Sequence, residues 1–178
     1  MSRVVETDPL LGFVVDFCNT HDVLNDPADR LAIPLVHRIA DHHGVAVRFR
    51  AADVERVRGV RDALLKVFAA PVEGKGAAIN EILAEHGARA ELDGNLRLTA
   101  VGGADGVARF AIACADALAR ALADGGADRL RTCSGDPCRC VYIDRTRANR
   151  RRYCCELCND RMASAAYRAR QQKSVPAE

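Results

Sequence analysis

The chain has 178 residues, 49% hydrophobic and 28% charged, with a formal net charge of +2. These values exclude a disordered chain, and at ~100–200 residues per domain they leave room for one domain, or one domain plus a small module. No apolar run reaches the ~20 residues of a membrane span, and the opening MSRVVETDPL lacks an apolar signal-peptide core; the expectation is a cytoplasmic protein without membrane partners.

Aromatic residues make up only 4%, with no Trp, so the core is expected to be built from Ala, Val, Leu and Ile. Residues 10–20 (LLGFVVDFCNT) form an apolar run too short for periodicity to decide between helix and strand. Asp16, Asn19 and Thr20 make a compact polar group at its end. They read either as a turn and helix cap or as the lining of a pocket for a small-molecule effector. Asp26-Pro27 offers an N-cap and an N1 proline, so a helix is expected to start there, and Pro34 opens a second run that stops at Gly44.

Residues 52–68 predict an amphipathic helix, with Val54, Val57, Val60, Arg61, Leu64, Leu65 and Phe68 at three- and four-residue steps. Pro71 closes it. A further helix is expected over 76–86, ended by Gly87. Alternating Ala90 and Leu92, then Leu96 and Leu98, around Asp93-Gly94-Asn95 predict a β-hairpin. A long Ala-rich helix follows over Gly106–Asp124, with Asp105 as N-cap and Gly125-Gly126 as its end.

Composition and charge both change near residue 128. Residues 1–128 carry 14 Lys/Arg and 19 Asp/Glu, whereas 129–173 carry 12 and 4. A basic segment on an acidic body suits a polyanion partner. Cys133, Cys138, Cys140, Cys154, Cys155 and Cys158, six of the chain's eight cysteines, also lie in this segment. In a chain with a separate body such a cluster reads as metal ligands rather than disulfides, and four thiolates closed around Zn²⁺ make a structural site. Cys133 and Cys138 flank a Gly-Asp-Pro turn and form the natural first pair. The second pair is Cys154 with Cys158 or Cys155 with Cys158. Cys140 and the unused member are then spare thiols, either small buried residues or redox-active ones.

Between the pairs runs Asp144-Arg145-Thr146-Arg147-Ala148-Asn149-Arg150-Arg151-Arg152-Tyr153, rich in Arg, which suits bidentate phosphate and guanine recognition. The run from Cys158 predicts a helix. Arg161, Ser164, Arg168 and Gln172 fall on one stripe, and Cys158, Met162, Ala165, Ala166 and Ala169 on the adjacent one, expected to pack over the zinc site. A zinc-held helix of this kind can enter a major groove.

The order Cys133-x4-Cys138, Val141-Tyr142-Ile143, Asp144, Asn149-x2-Arg152-Tyr153-Cys154, and Cys158-Asn159-Asp160-Arg161 with a basic helix resembles the CGNR zinc-finger family. In the name motif only Cys and Arg match here. Asp16-Phe17-Cys18-Asn19-Thr20 and Arg61-Asp62-Ala63-Leu64 resemble stretches of that family's partner region, the ABATE domain. The resemblance implies a bacterial, stress-responsive transcription regulator whose finger binds DNA, and it implies Cys133, Cys138, Cys154 and Cys158 as the zinc ligands.

The sequence therefore predicts a mainly α fold with a small β-hairpin, residues 1–128, followed by a treble-clef-like four-cysteine zinc module, residues 129–178. The expected DNA contacts are Arg145, Arg147, Arg150, Arg151, Arg152, Arg161 and Arg168. A redox sensor or protein-interaction module without DNA binding is the alternative. No P-loop, nucleophile elbow or zinc-protease motif is present, so no catalytic residue is expected. A homodimer is expected on general grounds.

Overall fold

A computed structural model describes residues 8–173. The apolar run at the start is helix α1 (Pro9–Cys18); Asp8 caps it by accepting from the Leu10 N–H at 2.8 Å, and proline opens its first turn. Leu11, Phe13, Val14, Phe17 and Cys18 are buried. Helix α2 (Ile33–His43) follows and ends at Gly44, whose φ of 67° is the left-handed conformation that glycine adopts without steric cost. The helix start expected at Asp26-Pro27 is not formed. That segment is a turn in which the Asp22 carboxylate accepts from Leu24 N and Asn25 Nδ2, while Asp22 N donates to Ala28 O. A local side-chain turn has won over the helix.

Helix α3 (Val54–Ala69) buries Val57, Val60, Arg61, Leu64 and Phe68 of the predicted stripe and also Val67, outside it, while Val54 and Leu65 are half-buried. Ala70 takes the extended conformation that the following Pro71 favours. Helix α4 (Lys75–Glu85) begins with a lysine only 2% exposed. Lys75 Nζ donates to Val67 O and Phe68 O, carbonyls at the end of α3 that have no partner within the helix. Strands β1 (Ala88–Leu92) and β2 (Leu98–Gly102) form the expected antiparallel hairpin. Asp93 orders its turn by accepting from Asn95 N and Arg97 N. Helix α5 (Gly106–Ala121), capped by Asp105, is the central element and buries ten side chains.

Four of the scarce aromatics sit at the middle of the core, against the expectation of a purely aliphatic one. Phe13, Phe17 and Phe49 each pack against Phe110, with ring centroids 5.1–5.6 Å apart and edge-to-face geometry. A few large rings at the crossing of α1 and α5 fill volume that alanines leave open.

The second hairpin pairs β3 (Leu130–Thr132) with β4 (Val141–Ile143). Its inward side chains Leu130, Val141 and Ile143 belong to the same apolar core as α1, α3 and α5. The change of composition near residue 128 is therefore not a break in packing. Asn19 completes the junction: its Nδ2 donates to Val141 O at 3.0 Å, and Val141 N donates to its Oδ1 at 2.8 Å. The amide thus pairs with β4 as a strand neighbour would. Because Val141 is 1% exposed, Asn19→Ala strands two buried backbone groups. It is expected to cost about 2–4 kcal/mol in urea unfolding, with Asn19→Asp intermediate because only the donor is lost.

Candidate metal centre

The loop from β3 to β4 carries Cys133 and Cys138, and the last helix, α6 (Glu156–Lys173), carries Cys158 in its first turn, with Cys154 just before it. Their four Sγ atoms lie within 4.8 Å of one another. Cys138 Sγ and Cys154 Sγ are 3.8 Å apart, and Cys154 Sγ and Cys158 Sγ 3.7 Å. A tetrahedral Zn²⁺ with Zn–S bonds of ~2.3 Å requires sulfurs ~3.8 Å apart, so the donor set fits the metal.

Backbone and side-chain N–H groups point at these sulfurs. Gly135 N and Cys154 N donate to Cys133 Sγ, Cys140 N to Cys138 Sγ, and Arg161 Nη2 to Cys158 Sγ, each at 3.4 Å. Such donors stabilise the thiolate form that a metal needs. At Gly135 an added Cβ would lie 3.4–3.5 Å from Cys133 Sγ, Arg161 Nη2 and Cys158 Cβ, so the turn lies within van der Waals reach of the cysteine cluster. Cys133, Cys138 and Cys158 are buried. Of the two spare thiols, Cys140 is half-buried, while Cys155 is exposed with its Sγ 3.8 Å from Cys154 Sγ.

Three residues that sequence reasoning did not single out for this role build the basic loop. Asp144 is fully buried and accepts from Thr146 N, Thr146 Oγ1 and Arg151 N. Burial pushes its carboxyl up, but these hydrogen bonds and Arg131 outweigh it and hold the group below the usual carboxylate range. Arg129 Nη1 donates to Asp144 O and Thr146 O. Arg131 donates to Asp128 O, Arg151 O and both oxygens of Asn149. Only the motif Asp144…Asn149, read as spacing, hinted at this network.

The seven arginines expected at DNA divide accordingly. Arg151 is engaged within the fold: its Nε donates to Tyr153 O, its Nη2 to Cys154 O, and its guanidinium lies over the Tyr142 ring. Arg161 is half-buried beside Cys158. Arg145, Arg147, Arg150 and Arg168 are exposed and, among the described residues, have no ion pair, while exposed Arg152 lies over Tyr153. Of the α6 stripe expected to pack over the zinc site, Cys158 alone belongs to the described cysteine cluster. Met162 and Ala165 are half-buried, whereas Ala166 and Ala169, expected to pack, are exposed, as is every described position from 166 to 172.

Asp16, Asn19 and Thr20 make separate contacts. Asp16 is exposed and pairs with His43 Nε2 at 2.7 Å. Asn19 is bonded to β4, and buried Thr20 donates to Phe17 O at 2.7 Å and accepts from Arg61 Nη1 at 3.4 Å. Each of the three thus has its own contact within the fold: His43 for Asp16, β4 for Asn19, and Phe17 with Arg61 for Thr20.

Among the described residues no helix is long and apolar enough to cross a membrane. Comparison with curated proteins gives no match. The CGNR zinc finger family model matches residues 129–171. The ABATE family model, described as "Putative stress-induced transcription regulator", matches residues 12–130. Neither is an enzyme family, and the first, together with the four close cysteines, makes zinc the metal that the chain binds. The chain belongs to the ABATE family and carries a CGNR zinc finger directly after that region.

Proposed function

We propose that the chain is a cytoplasmic, DNA-binding transcriptional regulator in which Cys133, Cys138, Cys154 and Cys158 hold one structural Zn²⁺. Arg145, Arg147, Arg150, Arg152 and Arg168 form its DNA-facing surface, and no residue is assigned a catalytic role. When bound, the ion supplies folding free energy to a segment that has little apolar core of its own. The observation that carries the reading is the pairing of exposed arginines, on a loop fixed by Asp144, Arg129 and Arg131, with a helix whose outer two turns are exposed. Phosphate contacts from the loop position the protein, and the helix is free to enter a groove.

The test is binding of the zinc-loaded protein to random and genomic DNA fragments over ~50–200 mM salt. With about six phosphates engaged, log K falls with log salt at a slope near −5. Reversing Arg150 and Arg152 together to Glu, with Arg151 kept because it holds the fold, is expected to lower affinity at least ~tenfold and to flatten the slope by about 2. Undiminished affinity in that variant removes this surface. Absence of binding at the lowest salt moves the module to protein contact or redox sensing, for which exposed Cys155, close to Cys154 Sγ, is the thiol in position.

A further inference from the structure

Among the described residues the β1–β2 sheet has two strands only, which leaves the outer edge of β1 unpaired. Backbone parity shows which residues face outward. Asp93 N donates to Arg97 O across the hairpin, and Ala100 N donates away from β1 to Asp116 Oδ1. The pair Ala90↔Ala100 is therefore not hydrogen-bonded across the hairpin, and neither are Ala88↔Gly102 or Leu92↔Leu98 two positions either side. Ala88, Ala90 and Leu92 accordingly direct their N–H and C=O groups to the free edge.

That edge carries few of the usual defences. It is five residues long without Pro, Gly, Lys or bulge. Its charges are Arg89 and Glu91, both exposed and joined to each other at 3.1 Å. They stand symmetrically about Ala90 with opposite sign. Leu92 and Leu98, side by side, are 58% and 67% exposed.

We propose that β1 is a dimerisation edge whose partner is a second copy of this chain, paired antiparallel about a two-fold axis at Ala90. This register is the one in which parity and charge agree. Ala90 meets Ala90 of the partner subunit, and Ala88 meets Leu92 of the partner subunit, as hydrogen-bonded pairs that use all the outward groups. Arg89 falls opposite Glu91 of the partner subunit as a non-hydrogen-bonded pair, where side chains are closest. The two-fold makes both salt bridges, and the four strands form one sheet with an isologous interface. A partner strand with a different charge order gains no such match.

The test is the mass of the full-length zinc-loaded protein by sedimentation equilibrium at ~1–100 µM and low salt. The wild type is expected at twice 19.3 kDa. Arg89→Glu sets like charges opposite each other at both symmetry-related sites and is expected to weaken the dimer at least ~tenfold. Adding Glu91→Arg to it restores complementarity with reversed signs and should restore the dimer. Ala90→Pro removes the central donor and should also give monomer, with far-UV circular dichroism confirming the fold. A monomeric wild type at 100 µM overturns the proposal, as does a dimer indifferent to Arg89→Glu, or one that the charge swap fails to restore.

Discussion

Replacing Cys138 by Ala is expected to abolish stoichiometric zinc binding and to loosen residues 133–140 and 153–173, while α1–α5 and the β3–β4 hairpin stay folded. The reason is the composition of the second apolar cluster. Among the described residues it consists of Cys133, Cys138 and Cys158, with Cys140, Tyr153 and Cys154 against it, and contains no aliphatic side chain. Metal binding in such modules supplies on the order of 10–16 kcal/mol that doubles as folding free energy, and no packing here can replace it. The hairpin is held differently, through Leu130, Val141 and Ile143 in the main core and through Asn19. The loop 144–151 is tied to that hairpin by Asp144, Arg129 and Arg131. Trypsin should therefore find new sites at Arg139 and Arg161 in the variant, or in wild type with a chelator, while most helical circular dichroism remains. Equal resistance with and without zinc would refute the assignment of these ligands.

The sequence disclosed elements wherever one local rule acted alone. The Asp105 cap of α5 and the Gly44 stop of α2 formed as read, as did most apolar steps of α3 and the hairpin around Asp93, although Leu96, expected in its second strand, lies in the turn with a φ of 58°. The cysteines are a spacing signal of the same kind, and four of the six converge in space. What the sequence hid are side chains whose roles depend on distant partners. Asn19 and Val141 are 122 residues apart, so nothing near Asn19 shows that it pairs with a strand. Arg131, Arg151 and Arg161 count as positive charge in a sequence tally, yet they bond to carbonyls and a sulfur of the module itself. Arg61 occupies a core position of an otherwise apolar helix face, and only tertiary structure explains how a guanidinium is tolerated there.

The explanation yields the last prediction. The Arg61 side chain is 3% exposed. Its Nη1 and Nη2 grip Asp29 at 2.7 and 3.0 Å, Nε and Nη2 reach Asp62 at 3.0 and 2.9 Å, and Nη1 also meets Thr20 Oγ1. All the guanidinium's donors are engaged. Asp29 additionally accepts from Arg58 and from Leu31 N, and is 31% exposed. The two halves of the pair are thus unequal. Asp29→Ala leaves a buried cation facing only Asp62, itself 53% exposed, and should cost about 3–5 kcal/mol. Arg61→Met leaves a carboxylate that still has Arg58 and water, and should cost less than half as much, roughly 1–2 kcal/mol.

The hydrogen bonds from Arg61 hold the Asp29 carboxyl well below the usual carboxylate range. A carboxyl depressed in the folded state contributes stability that is fully present above its unfolded pKa of ~3.9 and is lost as pH falls through the folded value. Wild-type stability should therefore fall with acid more steeply than that of Asp29→Ala below pH ~4, by up to one proton, or about 1.4 kcal/mol per pH unit. Urea unfolding at intervals from pH 7 to pH 2 measures both effects. Equal costs for the two substitutions, with parallel acid branches, would show that Asp29 is not the counter-ion that keeps Arg61 in the core.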